Sequence, residues 1–367
     1  MAAPEEALWE RDDHTEGKHL VLEEYLKAWF PILGTAKANQ RILFVDGFAG
    51  PGEYAGGEEG SPVVAMRVLA EHAARERINA EVVFVFIEKD AKRADHLKGL
   101  RDEWLPKLPE RTRIRVLNDS FPSVMDEVLK ELAEEKAQMA PALVMMDPFG
   151  IRDVPLTVIA GILANPKCEV YVTFMWEQMN RFLTALEFES HLDEMFDTTV
   201  WRKAISMQGD ERRRHLYLLY RAQLKKAGAK HVLPFHLFKG QRRKYSLFFA
   251  TGHVLGSDRM KKAMWKIAPF GDFSFRGGTA DQLVMLGVAE PDFRVLREAL
   301  HRRFAGAGWV KIQEVLNFVR SDETMFHDSQ VKVPVLKPME KTGKIEVRRR
   351  TGQRRFKYPN GCRIRFL

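Results

Sequence analysis

Cysteine and long hydrophobic runs are both scarce in this sequence. Only two cysteines occur among 367 residues, Cys168 and Cys362, and two cysteines this far apart exclude a disulfide framework or a zinc cluster. We expect each to be a small buried side chain rather than a nucleophile. No apolar run approaches the ~20 residues that span a bilayer. Residues 1–13 are acidic and lack the apolar core of a signal peptide, so we expect a cytoplasmic protein.

Positive charge is concentrated near the C-terminus. Residues 291–367 hold 18 Lys and Arg against eight Asp and Glu, a net charge of +10, while the whole chain carries +8. The body of the chain is therefore close to neutral. Because the basic segment also has the pattern of folded structure, its charge favours a nucleic-acid partner, RNA or DNA, over a solubilising tail.

Apolar runs alternate with helical patterns through the first half of the chain. The predicted strands are residues 41–46, 81–87, 114–117, 142–146 and 169–174. Nearly continuous apolar strands separated by helices are typical of an α/β fold with a doubly wound, mostly parallel sheet. A helical insertion follows around 177–230, and then a hairpin around 240–243 at the far edge of the sheet. We place this α/β domain at residues 1–285.

A second domain is predicted at residues 290–367. Helices at 292–305, 311–319 and 329–340 precede two short strands around a basic loop, an order typical of a winged helix. The loop would lie along phosphates as the wing. Its candidate nucleic-acid-binding residues are Arg348, Arg349, Arg350, Arg354 and Arg355. The alternative is a small α+β cap on the first domain, and winged helices also bind proteins.

The end of the first strand opens a glycine-rich loop. Its candidate ligand-binding residues are Asp46, Gly47, Phe48, Gly50 and Gly52. The loop lacks the full G-x-G-x-x-G spacing of dinucleotide sites and the Lys-Ser/Thr of a P-loop. Gly50 and Gly52 would let the backbone approach a small ligand. Asp46 could accept hydrogen bonds from an amino group, which suits the methionine part of S-adenosylmethionine.

Acidic residues also follow the second and third strands. Glu88 stands where an acid accepts ribose hydroxyls in nucleotide-binding doubly wound folds. Asp119 fits an acceptor for the adenine amino group. Asp119 or Ser120 fits the N-cap of the next helix equally well.

The fourth strand ends in Asp147-Pro148-Phe149-Gly150, and we predict Asp147, Pro148 and Phe149 as catalytic residues. Proline stiffens the turn and removes an N–H, which leaves carbonyl oxygens facing the site. A carboxylate and a carbonyl can together hold an exocyclic amine, and an adjacent ring can stack on an extruded base. The alternative is an ordinary strand-to-helix turn with a packed phenylalanine.

These motifs resemble those of class I S-adenosylmethionine-dependent methyltransferases. More closely, "HTEGKHLVLEEYLKAWF", "FVDGFAGPGEY" and "DPFG" resemble the three-Cys-motif partner family, over nearly the whole chain. That family name implies partnership with a three-cysteine protein resembling radical-S-adenosylmethionine proteins. The N-terminal half is also similar to bacterial ribosomal-RNA adenine-N6 methyltransferases, in which the turn reads D-P-P-Y. This resemblance implies that Lys18 or His19, with His14 before them, reaches the cofactor or the target; the alternative is an exposed polar start of the first helix.

The resulting prediction is an S-adenosylmethionine-dependent methyltransferase acting on an amino nitrogen of a nucleic-acid base. No metal is required, because the sulfonium is already activated. The altered D-P-F-G turn motivates an alternative, a methyltransferase-fold module that binds nucleic acid or the three-cysteine partner without catalysis. Arg276-Gly277-Gly278 is a further candidate for phosphate binding.

Overall fold

A computed structural model describes Leu8 and residues 13–239, 242–269, 274–275 and 291–367. The chain divides into two units, Met1–His253 with Ser274–Gly277, and Val254–Phe273 with Gly278–Leu367. None of the helices in the described residues combines the length and hydrophobicity needed to cross a bilayer.

The first unit contains eight strands in one sheet. They are β1 Arg41–Asp46, β2 Glu81–Ile87, β3 Thr112–Leu117, β4 Ala142–Met146, β5 Cys168–Phe174, β6 His231–Lys239, β7 Arg242–Thr251 and β8 Ser274–Phe275. Their order is β3-β2-β1-β4-β5-β7-β6-β8. Strands β1 to β5 are parallel, and β7 pairs antiparallel with both β5 and β6. The predicted doubly wound, mostly parallel sheet is confirmed. The hairpin lies at its far edge, beside the two-residue β8, and its turn at 240–241 lies outside the described residues.

Helices flank this sheet. They are α1 Asp13–Gly34, α2 Ser61–Ala70, α3 Ala91–Trp104, α4 Phe121–Glu134, α5 Leu156–Leu163, α6 Trp176–Phe182, α7 Glu189–Phe196 and α8 Gly209–Lys226. Every residue of β4 and β5 is buried, as expected for strands covered on both faces. Cys168 begins β5 with its thiol buried, and burial raises the pKa of this thiol to about 12. Cys362 is also buried, so the interpretation of both cysteines as core residues is confirmed.

Helix α1 continues through a proline because a histidine replaces the missing donor. Pro31 has no N–H to donate to the carbonyl of Lys27 four residues earlier. His72 Nε2 donates to that carbonyl at 2.9 Å, and His72 Nδ1 accepts from the Ala74 N–H at 2.9 Å. The helix therefore reaches Gly34 with the Lys27 carbonyl hydrogen-bonded.

In its described residues, the second unit combines four α-helices with a small sheet. Its helices are α9 Val254–Ile267, α10 Phe293–Phe304, α11 Ile312–Arg320 and α12 Lys337–Lys341, and its strands are β9 Val310–Lys311, β10 Ile345–Arg348 and β11 Arg363–Phe366. The strand order is β10-β11-β9, all antiparallel. Just before α12, a π-helical turn at Lys332–Leu336 accommodates Pro334.

A buried lysine explains why α9 belongs to the second unit, although the sequence analysis places the boundary at 285–290. Lys261 is fully buried, and its ammonium donates to the carbonyls of Val319, Ser321 and Thr324 at the end of α11. These carbonyls have no partner within the helix, so a cation satisfies them well. Helix α9 is thus an integral part of the C-terminal unit.

Candidate functional site

A cavity of about 480 Å³ opens at the carboxyl edge of the parallel strands. The chain reverses its winding between β1 and β4, and such a switch point is where doubly wound sheets bind ligands. Seven of the predicted site residues line this cavity: Gly47, Phe48, Glu88, Asp119, Ser120, Pro148 and Phe149. Residues that follow four different strands are therefore brought together at one edge of the sheet, as the sequence analysis expects.

The glycine-rich loop after β1 is fixed by backbone hydrogen bonds to both neighbouring strands. The Gly47 N–H donates to the Met145 carbonyl at 2.9 Å, and the Ala49 N–H donates to the Ile87 carbonyl at 3.0 Å. Gly50 and Gly52 have φ of 60° and 89°, the left-handed region that favours glycine. A Cβ on Gly47 would lie 2.3 Å from the ring of Phe121. Gly47 therefore packs closely against Phe121 in the cavity wall, whereas Gly50 and Gly52 do not line the cavity and supply the left-handed turns of the loop.

Asp46 lies behind this loop and does not line the cavity. It is fully buried, and its carboxylate accepts hydrogen bonds from Ser61 Oγ at 2.5 Å and from the Phe48 N–H at 3.1 Å. Burial raises the pKa of Asp46 to about 7, these two hydrogen bonds oppose the rise, and the negative charges of Asp147 and Glu88 add to it. The contacts made by Asp46 hold the loop.

Glu88 joins the loop to the next helix. Its carboxylate accepts from the Gly50 N–H at 2.9 Å and from the Asp90 N–H at 2.8 Å. Arg93, in the first turn of α3, lies 4.0 Å from this carboxylate and 5.9 Å from the ring centroid of Phe149. Each carboxylate oxygen has a second lone pair, so Glu88 can still accept from a ligand hydroxyl.

Of Asp119 and Ser120, both candidates for the N-cap of the helix after β3, Ser120 is the N-cap. Ser120 is the N-cap of α4, and its hydroxyl accepts from the Ser123 N–H. Asp119 is exposed, and its carboxylate accepts from the Ser120 N–H at 2.6 Å. Both residues line the cavity, so Asp119 presents a carboxylate to it beside a helix N-terminus.

Asp147 forms an ion pair with Lys18 of α1. The Lys18 ammonium donates to Asp147 Oδ2, with side-chain exposures of 9% and 20%. The same ammonium lies 5.6 Å from the ring centroid of Tyr245 on β7. Two predicted site residues are thereby brought together. Neither lines the 480 Å³ cavity.

His19 is also on α1 but is not among the cavity-lining residues. It is buried, with its ring centroid 6.3 Å from that of Tyr54. The side chain of His14 and the segment Arg276-Gly277-Gly278 lie outside the described residues, so their predicted roles are not addressed by the structure.

Aromatic side chains form one wall of the cavity. Some of them come from the helical insertion, which does not follow directly from a strand end. Phe149 is 38% exposed, whereas Phe121 is buried against Phe48 at a centroid distance of 5.7 Å. Phe182 and Phe188, from the helical insertion, stack at 4.4 Å. Gly150 of the D-P-F-G turn also lines the cavity, and the lining residues that the sequence analysis missed are Ile87, Lys89, Arg93, Ile151, Arg152, Asp153 and Gln178.

Comparison with known proteins supplies no family. No protein-family model and no curated protein matches this sequence. Among solved structures, Trm1 from Pyrococcus horikoshii with S-adenosyl-L-methionine is similar at 10% identity, covering 72% of this chain and 62% of that chain, with a TM-score of 0.39. The O-methyltransferase from Bacillus cereus in complex with SAH is similar at 11% identity, covering 63% and 80%, with a TM-score of 0.31.

This chain thus spans less than two thirds of the Pyrococcus horikoshii structure. Similarity at such TM-scores carries no information on substrate or site residues. The chemistry of the cavity therefore rests on this chain's own geometry. That geometry offers carboxylate acceptors at Glu88 and Asp119, apolar ring faces between them, and a carboxylate–ammonium pair at Asp147 and Lys18.

The predicted arginine-rich loop of the second unit is only partly available to a ligand. Arg349 donates through both terminal nitrogens to Glu340, at 2.8 and 2.6 Å, and Tyr358 donates to the same carboxylate at 2.7 Å. The Arg349 and Glu340 side chains are only 13% and 9% exposed. Arg349 therefore stabilises the base of the loop. The exposed members are Arg348, Arg350, Arg354 and Arg355.

Proposed function

We propose that this chain binds S-adenosylmethionine in the 480 Å³ cavity and methylates an amino nitrogen of a nucleic-acid base. The observation that carries the proposal is one juxtaposition at the switch point of the sheet. The glycine loop is fixed by Glu88 on one side, and the Pro148–Phe149 turn forms the other side of the same cavity.

The cavity residues fit the nucleoside part of this cofactor. A volume of about 480 Å³ lies within the range of small-molecule sites. Glu88 would accept from the ribose hydroxyls and Asp119 from the adenine amino group. The rings of Phe48 and Phe121, which line the cavity, would contact the adenine of the cofactor. The cofactor, when bound, supplies a methyl group on a sulfonium, so the protein needs only to position and orient the acceptor.

Asp147 and Pro148 are proposed to hold the acceptor amine. Lys18 shows that a nitrogen donor reaches the Asp147 carboxylate, and it contacts only the Oδ2 oxygen. Oδ1 and the Pro148 carbonyl can then accept from the amine, and Asp147 can take up the proton that the amine loses. Phe149 is proposed to stack on the extruded base, which its 38% exposure permits.

The second unit is proposed to be a winged helix that binds nucleic acid. Helices α10, α11 and α12 precede the β10–β11 hairpin, and the short strand β9, which was not among the predicted strands, pairs with β11. This order of helices and hairpin supports the proposal. The net charge of +10 over residues 291–367 supports a polyanionic partner.

A second candidate is a binding module without catalysis. The ion pair between Lys18 and Asp147 favours it, because a lysine ammonium already occupies the candidate catalytic carboxylate. Such a module would engage nucleic acid or the three-cysteine partner that the sequence resemblance implies.

Calorimetry and labelled-methyl transfer separate the two candidates. S-adenosylmethionine should bind wild type, Glu88→Ala should bind it at least tenfold more weakly, and Glu127→Ala, an exposed acid on α4, should bind it as wild type does. Wild type should label cellular RNA or DNA, and Asp147→Asn should abolish labelling while retaining cofactor affinity. No cofactor binding by the folded protein would contradict the proposal. Binding without labelling, with and without the three-cysteine partner, would favour the second candidate.

A further inference from the structure

One face of the small sheet in the second unit is basic. Strand residues alternate between its two faces. Ile345, Val310, Ile364 and Phe366 are buried on the inner face. The outer face carries Lys311, Glu346, Arg348, Arg363 and Arg365, which pair across the strands as Arg363 with Lys311, Arg363 with Arg348, and Arg365 with Glu346. Four cations and one carboxylate give this face a net charge of +3.

A partly exposed tryptophan belongs to the same face. Trp309 immediately precedes β9, and two guanidinium groups lie over its ring, that of Arg348 at 4.0 Å and that of Arg365 at 5.3 Å from the centroid. Cation–π contacts of this kind hold guanidinium planes in a fixed orientation at a surface. The outer face therefore combines ordered cations with flat surfaces on which an unpaired base can stack.

Few of these cations are neutralised by the protein itself. Glu346 binds Arg365 at 2.5 Å, and their side chains remain 45% and 43% exposed. Lys311, Arg348 and Arg363 are exposed. In the neighbouring loop, by contrast, Arg349 is bound to Glu340. The outer face of the sheet therefore offers a polyanion exposed cations in addition to those of the arginine-rich loop.

We propose that this face, Lys311, Arg348, Arg363 and Arg365 with Trp309, binds single-stranded nucleic acid. The cations contact phosphates, and an unpaired base stacks on the Trp309–arginine surface. The proposal rests on the proposed function in one respect, namely that the partner is nucleic acid. It differs in locating the contact on the sheet and in requiring an unpaired strand.

The test is fluorescence anisotropy with a labelled oligouridylate and with an RNA duplex, using the full chain without cofactor. The oligouridylate should bind more tightly than the duplex, and its affinity should fall steeply between about 50 and 200 mM salt. The double variant Lys311→Gln/Arg363→Gln should bind at least tenfold more weakly at low salt and should lower the slope of log affinity against log salt by about 1.4. The matched control Arg302→Gln/Arg303→Gln removes two exposed charges from α10 and should leave the slope near its wild-type value.

Trp309 is tested separately from the charges. Trp309→Ala should weaken binding about tenfold at every salt concentration without changing the slope, because stacking releases no counterions. Trp309→Phe should retain most of the affinity, and thermal melting checks that both variants fold.

Three results would overturn the inference: no oligouridylate binding at low salt, equal affinity for the duplex, or wild-type binding by Lys311→Gln/Arg363→Gln. In the third case Arg350→Gln/Arg354→Gln would report whether the loop binds instead. Because no cofactor is present, binding without methyl transfer would reject only the proposed chemistry. Cofactor binding without oligonucleotide binding would reject only this inference.

Discussion

The ion pair between Lys18 and Asp147 should make a measurable contribution to stability. Its side chains are 9% and 20% exposed, so it is screened less than a surface pair and is not fully desolvated. Exposed pairs couple by about 0.2–1 kcal/mol, whereas a hydrogen bond between charged groups contributes about 1.5–3 kcal/mol. We expect a coupling free energy of about 1.5–3 kcal/mol for this pair.

A double-mutant cycle measures that coupling. Urea unfolding of wild type, Lys18→Met, Asp147→Asn and the double variant gives the four free energies. The control is the cycle for Lys98 and Asp95, an exposed pair on α3 at 2.8 Å, which should couple by only about 0.2–0.5 kcal/mol. A coupling for Lys18 and Asp147 no larger than the control would show that the pair does not form in solution. The reasoning that makes Asp147 a bound, positioned carboxylate would then fail.

Three further predictions concern stability. Burial raises the pKa of Glu169 to about 7, and hydrogen bonds from Tyr25 and Thr251 oppose this rise. The folded state therefore holds a proton on Glu169 that the unfolded state releases from about pH 4.5. The free energy of unfolding should consequently fall by up to about 3 kcal/mol as the pH rises to 7. Glu169→Gln should flatten this dependence in pH-resolved urea titrations, and an unchanged profile would contradict the assignment. Gly52→Ala should lower the melting temperature and weaken cofactor binding, because φ is 89° and a Cβ would lie 2.8 Å from two leucine side chains of α3. Gly57→Ala is the control for backbone strain alone, because Gly57 also has a positive φ but no atom lies within 4 Å of its added Cβ. Lys261→Met should destabilise the second unit by about 1–3 kcal/mol, because the carbonyls of Ser321 and Thr324 lose this donor, whereas that of Val319 keeps the Thr324 hydroxyl. Hydrogen exchange in α11 reports the loss.

The sheet could be predicted from the sequence because its signal is local. Runs such as 82–87 and 142–146 are continuously apolar, and they fill strands β2 and β4 except for Glu81 at the start of β2. Parallel strands then bring Glu88, Asp119 and Pro148 to one edge whatever the loops do. Arg93 and Phe182 could not be found in this way. Their positions depend on how α3 and the helical insertion pack, which no strand end specifies.

The partners of individual cations could not be predicted from sequence patterns either. Arg349 belongs to a run of three arginines, but it is bound to Glu340, nine residues earlier in the chain. Its guanidinium is therefore not available to a ligand. Lys261 is part of a basic helix, yet it is fully buried because the carbonyls it satisfies come from residues 319–324. A count of charge therefore overestimates how many cations a polyanion can reach.

Acids at the strand ends of this fold accept structural hydrogen bonds, and this decides which substitutions can test a ligand contact. Glu88 lines the cavity, but its carboxylate also satisfies the Gly50 and Asp90 N–H groups. Removing it leaves two donors without their acceptor, so weaker cofactor binding by Glu88→Ala would follow from a displaced loop as well as from a lost ligand contact. Glu88→Gln keeps an acceptor oxygen, and Asp46→Asn alters a carboxylate that holds the loop without reaching the cavity. Because glutamine can accept from only one of the two N–H groups, its melting temperature is measured as well. If Glu88→Gln weakens binding at a wild-type melting temperature while Asp46→Asn changes only the melting temperature, the Glu88 carboxylate contacts the ligand. Equal effects of both variants on affinity would mean that the acids act through the loop.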